Sequence, residues 1–203
     1  MSSSNFRSHK IARTCNKVYS DYHSYQKYLL TDFSHRCCYC NIHQDTLGTT
    51  SFQIDHFIPK KQFEGKRDEL LTQYTNLMLA CPKCNRAKSD QYEGDLTSPA
   101  IENKLFYNPD LVDYNTIFYR NELGGISSND DKGKDMIKRL KLYRPVHNYA
   151  WVLEMLSNLI SQIDTQICSA SGDDKEKLES IRNKLAYKHY IMHSHFLTAY
   201  RQK

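Results

Sequence analysis

The order of apolar and polar residues predicts a chain that mixes helices with short strands. Apolar residues recur at helical spacing over residues 15–34, which predicts a helix after a loose tail at residues 1–14. The segment TTSFQIDHFIP alternates and is rich in β-forming residues, so it predicts a strand that ends at Asp55 and His56. Strand-like runs and a Gly-Gly pair predict a hairpin or an extended segment around residues 116–125.

The last third of the chain is predicted to be helical. Residues 130–142 have the pattern of a charged amphipathic helix, and two longer helices with one apolar stripe each follow Pro145. The short turn SASGDD between these two helices predicts that they pack antiparallel as a hairpin.

Four large residues fall beside the two apolar stripes of this hairpin, namely Trp151, Tyr187, Tyr190 and Leu197. Exposed together, they would form a patch of the size that marks an interface. We therefore expect the hairpin to dock onto a partner protein or a second copy of the chain. The alternative is that residues 97–144 fold back and cover the patch.

These patterns together predict the α+β fold class. They divide the chain into residues 1–34 (tail and helix), 35–95 (a core), 96–144 (a connecting hairpin and helix) and 145–203 (a helical hairpin). A length of 203 residues and a net charge of +5 permit a polyanionic partner without requiring one. The chain has no apolar run of 18 residues and its N-terminus lacks an apolar core, so we expect a cytoplasmic protein without membrane contact.

Seven cysteines add a metal site to this picture. Their odd number and paired spacing argue against a disulfide framework. Two C-x-x-C pairs, Cys37 with Cys40 and Cys81 with Cys84, predict a structural zinc site with four sulfur ligands. Cys38 could replace Cys37, although the C-x-x-C spacing favours Cys37. A redox dithiol or four unrelated buried cysteines are the alternatives.

An ordered set of polar residues lies between and after these pairs. It reads C-x-x-C, then D-H, then N, then C-x-x-C-N-x-x-K over residues 37–90. This combination resembles the HNH endonucleases, the ββα-metal nucleases, in their zinc-stapled form. The resemblance implies a ββα-metal core stapled by the four-cysteine zinc site, with a helical N-terminal segment and the C-terminal hairpin outside it.

The resemblance also implies a metal-dependent endonuclease that hydrolyses DNA phosphodiester bonds. In that case His56 is the general base and faces solvent at the end of its strand. Asp55 and Asn85 hold Mg²⁺ or Mn²⁺, Asn76 bridges the loop to the strand and orients His56, and Lys88 sits near the phosphate. These are expectations from the family pattern, with oxygen donors that suit hard cations.

Double-stranded DNA is the expected partner, and a non-catalytic zinc-ribbon module that binds nucleic acid or acts as an adaptor is the alternative. Lys60, Lys61, Lys66 and Arg67 either follow a DNA backbone or belong to a solvated loop. The segment after the core resembles those of HNH nucleases from phage-defence systems such as Septu and retron-linked systems. That likeness implies an ATPase partner and an antiviral role, while the choice between DNA and RNA and between nicking and double-strand cleavage stays open.

Overall fold

The computed structural model describes residues 4–201 and combines two small antiparallel sheets with seven helices in that part of the chain. The strands are β1 (Ser4–Asn5), β2 (Gln53–His56), β3 (Leu77–Ala80), β4 (Phe118–Arg120) and β5 (Ile126–Ser128). The helices are α1 (Gln26–Asp32), α2 (Lys60–Phe63), α3 (Pro82–Lys88), α4 (Tyr114–Ile117), α5 (Asp131–Arg139), α6 (Pro145–Ile167) and α7 (Gly172–Arg201). The α+β class is as expected.

The strand predicted to end at Asp55 and His56 is β2, which pairs antiparallel with β3 and places His56 opposite Leu77. All four residues of β3 are buried, because this strand is apolar on both faces. Helix α3 begins at Pro82, directly after β3, where proline suits the first turn of a helix. β2, β3 and α3 therefore follow one another and pack together, with α2 in the long loop between the strands.

The N-terminal region differs from its prediction. A 3₁₀ turn and α1 form only from Tyr22 onward, since Asp21 caps the turn through the His23 N–H, while Val18 is 93% exposed. The expected loose tail is wrong for residues 4–7, where β1 pairs with β4 and Phe6 and Arg7 are buried. It is also wrong for Arg13 and Thr14, which hydrogen-bond to Asp110 and Asp32. Residues 1–3 of that tail lie outside the described residues.

The predicted hairpin and the helix after it are confirmed. β4 and β5 pair antiparallel, and Gly124 in their connection has a φ of +75°, which glycine adopts without steric strain. The side chain of Asp130 accepts a hydrogen bond of 2.7 Å from the Gly133 N–H and so caps α5. Since β1 joins this sheet from the far N-terminus, the four-segment division of the chain stays a prediction.

The two long helices form the predicted antiparallel hairpin. Ser157 of α6 contacts His189 of α7 at 3.1 Å, and nearer the turn Arg182 of α7 contacts Asp164 of α6 at 3.0 Å. None of the helices in residues 4–201 combines the length and the apolar character needed to cross a membrane.

The patch predicted on this hairpin is only partly exposed. A Cβ atom at Gly124 would come within 2.4 Å of the Trp151 ring, and Leu197 lies near Gly48. Both side chains therefore pack against the rest of the chain. For Trp151 the contact is with Gly124, as expected if residues 97–144 fold back and cover the patch. Tyr187 and Tyr190 remain 68% and 67% exposed.

Candidate functional site

Four cysteines meet in the interior. The sulfurs of Cys37, Cys40, Cys81 and Cys84 all lie within 4.8 Å of one another, and those of Cys40 and Cys81 are 3.8 Å apart. Zinc bound to four sulfurs at about 2.3 Å in a tetrahedron places neighbouring sulfurs about 3.8 Å apart, so the donor set fits structural zinc. The group contains Cys37 and not Cys38, which was the open choice in the sequence.

Two local turns build this cluster. In the first, the Asn41 N–H donates to the Cys37 carbonyl at 3.0 Å, and Asn41 has a φ of +63°, a conformation in which asparagine is enriched. In the second, the Asn85 N–H donates to the Cys81 carbonyl at 3.0 Å within the first turn of α3. The Cys38 N–H donates to the Leu79 carbonyl at 2.8 Å, which ties the first turn to β3. The cluster thus joins the start of α3 to the sheet.

Helix α3 faces β2 through two neighbouring pairs of polar side chains. The Nδ2 of Asn85 donates to the Oε1 of Gln53 at 2.8 Å, and the Nζ of Lys88 donates to the Oδ1 of Asp55 at 2.9 Å. Residues 53 and 55 share one face of a strand, and residues 85 and 88 are about one helical turn apart. Asp55 and Asn85 therefore belong to adjacent pairs, with carboxylate and amide oxygens at the same junction.

Asp55 is a buried carboxylate with two donors. Its Oδ2 accepts a hydrogen bond of 2.6 Å from the Tyr39 hydroxyl, and its Oδ1 accepts from Lys88. Burial raises the pKa of Asp55, although Lys88 and Tyr39 act in the opposite direction. The two donors therefore offset only part of the cost of removing this carboxyl group from water.

Lys88 is buried beside β2. Its side chain is 0% exposed, and its ammonium also donates to the His56 carbonyl at 2.7 Å. No part of the side chain reaches solvent in this structure, and the expected place of Lys88 near a phosphate stays a prediction. The contacts of Lys88 hold Asp55 and the backbone of His56 together.

The imidazole of His56 is buried rather than facing solvent as expected, with the residue 5% exposed. Its Nε2 lies 2.9 Å from the Leu71 carbonyl. Since a carbonyl only accepts, the proton resides on Nε2 and the lone pair on Nδ1. Burial lowers the pKa of His56 to about 4, so the ring is neutral at pH 7 and can accept a proton at Nδ1.

Asn76 is fully buried at the base of the loop between β2 and β3. Its Oδ1 accepts from the Ile58 N–H at 2.8 Å, and its Nδ2 donates to the Leu70 carbonyl at 3.0 Å. Leu70 directly precedes Leu71, whose carbonyl holds His56. Asn76 thus ties together the two ends of the loop that contacts the imidazole.

Three residues that contact the site are not part of the sequence motif. Gln53 contacts Asn85, and its place two residues before Asp55 on an alternating strand is the signal that could have revealed it. The Tyr22 ring lies edge-on to His56 with a centroid distance of 4.9 Å. Lys60 donates to the Tyr22 hydroxyl at 2.9 Å. The sequence indicates Tyr22 only as part of a helical pattern.

The other basic residues expected along a DNA backbone differ in their surroundings. Lys61 pairs with Asp90 at 2.8 Å, and Arg67 donates to the Ser98 carbonyl at 2.6 Å. Lys66 is exposed on the loop after α2. Counting Lys60, three of the four cations are therefore engaged within the chain.

Comparison with known families gives a match over this region of the chain. Residues 37–91, about a quarter of the chain, match the family model of the HNH endonuclease. The matched segment spans the cysteine cluster, β2, β3 and α3. The match supports an HNH nuclease domain, which indicates a nucleic-acid substrate and the use of a divalent metal. Searches of curated proteins and of solved structures gave no match.

Proposed function

We propose that the chain is a metal-dependent HNH endonuclease that hydrolyses DNA phosphodiester bonds, and that β2, β3 and α3 form its ββα-metal core. The observation that carries the proposal is the orientation of the His56 imidazole at the end of β2. Its Nε2 is bound to the Leu71 carbonyl and its Nδ1 retains the lone pair. Asp55, the preceding residue, faces α3, which carries Asn85.

The reaction requires one proton acceptor. A water oxygen attacks phosphorus, which forms one P–O bond and breaks the P–O bond to the leaving sugar oxygen. The Nδ1 of His56 accepts the proton of the attacking water, and the leaving oxygen takes a proton from solvent. Positioned acid–base groups of this kind contribute about 10²–10⁴-fold to rates.

The donor chemistry at the junction of β2 and α3 fits a hard cation. Asp55 supplies a carboxylate, and the Oδ1 of Asn85 is available because its Nδ2 donates to Gln53. A Mg²⁺ or Mn²⁺ ion held there would supply positive charge at a phosphate oxygen. Lys88 and Tyr39 already donate to the two oxygens of Asp55 and would share them with this ion, so we expect weak metal affinity.

Asn76 acts as a positioning residue in this proposal. By holding the part of the β2–β3 loop that contains Leu70 and Leu71, it sets the direction of the His56 ring. The double-stranded DNA substrate, the cytoplasmic location and an antiviral role with an ATPase partner stay predictions from the sequence.

Cleavage of supercoiled plasmid in Mg²⁺ or Mn²⁺ tests the proposal. We expect His56→Ala and His56→Gln to lose at least about 10²-fold in rate, the scale of general base catalysis. Glutamine keeps an N–H for the Leu71 carbonyl but cannot accept the proton of water. His195→Ala, on an exposed part of α7, is the control. Cleavage at the parent rate by both His56 variants would show that His56 is not the base.

A further inference from the structure

Tyr22 and Lys60 form a small unit over the imidazole of His56. The ammonium of Lys60 is 2.9 Å from the Tyr22 hydroxyl and 4.1 Å from the centre of the Tyr22 ring. The same ring packs edge-on against His56. Tyr22 lies outside residues 37–91, so the family match says nothing of it. The unit therefore joins the N-terminal segment to the candidate active site.

Of Lys60, Lys61 and Lys88, Lys60 is the best placed for a substrate phosphate. Lys88 is fully buried, and Lys61 is paired with the carboxylate of Asp90. Lys60 is exposed, and the contacts of its ammonium are with the neutral hydroxyl and ring of Tyr22. Its positive charge is therefore presented to solvent beside His56, with no carboxylate among these contacts.

The distances suit a phosphodiester. The centre of the Tyr22 ring is 4.1 Å from the Lys60 ammonium and 4.9 Å from the centre of the His56 ring. The ammonium therefore lies at most about 9 Å from the His56 ring centre. An attacking water approaches phosphorus at about 3–3.5 Å. A charge-assisted hydrogen bond from an ammonium to a phosphate oxygen is about 2.8 Å long. His56 and Lys60 are therefore near enough to each other to act on the same phosphate group and its attacking water.

We propose that Lys60 is a further catalytic residue that contacts a non-bridging oxygen of the scissile phosphate, and that Tyr22 is the positioning residue that fixes its ammonium. This inference rests on the proposed endonuclease function. The phosphate gains negative charge in the transition state, and a fixed cation stabilises that charge. The residue that the sequence pattern assigned to this task, Lys88, holds Asp55 instead.

Single-turnover plasmid cleavage at saturating protein separates these roles. We expect Lys60→Met to lower the rate constant by about 10²-fold, the scale for loss of one group that stabilises transition-state charge. Lys60→Arg keeps the charge and should recover to within about tenfold of the parent. Lys61→Met, the neighbouring residue on the same helix, is the matched control and should stay within about twofold, because its charge is already paired with Asp90.

Tyr22→Phe tests the positioning role. It keeps the ring against His56 and removes the hydroxyl that holds Lys60. We expect a loss of about three- to tenfold that disappears in the Lys60→Met background, since coupled residues are not additive. Circular dichroism and zinc content confirm that each variant is folded.

The outcomes distinguish the two proposals. If the parent protein fails to cleave plasmid in either Mg²⁺ or Mn²⁺, the endonuclease proposal is overturned, and the role of Lys60 falls with it. In a second outcome, the parent protein cleaves plasmid and the His56 variants are inactive, but Lys60→Met is as fast as Lys61→Met. This outcome overturns only the role of Lys60. If Lys60→Arg cleaves no faster than Lys60→Met, the positive charge of residue 60 has no role in the rate. If Tyr22→Phe cleaves at the parent rate, Tyr22 does not position Lys60.

Discussion

Replacement of Lys88 by methionine probes the buried ion pair on which the site is built. The Lys88 side chain is 0% exposed and that of Asp55 is 6% exposed, with 2.9 Å between the Nζ and the Oδ1. Methionine retains most of the volume of lysine, so the change removes the charge with little cavity. Asp55 would keep one donor, the Tyr39 hydroxyl, and the His56 carbonyl would lose its contact with Lys88.

The expected loss in the free energy of unfolding is about 3–5 kcal/mol, the range observed when one partner of a buried ion pair is removed. The loss should depend on pH. Burial already raises the pKa of Asp55, and loss of Lys88 raises it further. A folded-state pKa above the unfolded value of about 3.9 means that stability falls as pH rises between the two values. The variant should therefore recover part of its lost stability in mild acid.

Urea denaturation followed by circular dichroism measures the effect. Asp55→Asn combined with Lys88→Met removes both charges and should be more stable than Lys88→Met alone. Lys61→Met removes an exposed cation and should leave stability unchanged within error. A loss below about 1 kcal/mol for Lys88→Met, or a double variant no more stable than the single one, would refute the reasoning from a buried pair.

Two further predictions concern the scaffold. Elemental analysis should find about one zinc per chain that resists mild EDTA, because structural zinc contributes folding free energy on the order of 10 kcal/mol or more; soluble, active protein without zinc would contradict the cysteine site. Truncation after Tyr143 removes Phe196 and Tyr200, which are buried, and should lower the melting temperature and promote aggregation detectable by light scattering. A truncated chain that stays monomeric with an unchanged melting temperature would show that the hairpin contributes nothing to the fold.

Local patterns in the sequence were sufficient for the elements of the site. The spacing of each C-x-x-C pair places two sulfurs on one turn, and this predicted the cluster with Cys37 as its first member. Alternation predicted β2 and its end at Asp55 and His56, and helical periodicity predicted the C-terminal hairpin. Each C-x-x-C turn, the strand and each helix are determined over a few neighbouring residues. The meeting of the two cysteine pairs, whose nearest members are 41 positions apart, was expected from the ligand chemistry of zinc and is found in the structure.

Only the tertiary structure decided what each side chain does. Lys88 is buried against Asp55, and Tyr22 covers His56 while it holds Lys60. These contacts join residues more than 30 positions apart, and periodicity carries no information at that separation. Burial of a lysine becomes favourable only where a carboxylate compensates for the lost water. The amino-acid sequence determined which groups are present, whereas the packing of α3 and the N-terminal segment against β2 determined which of them face solvent.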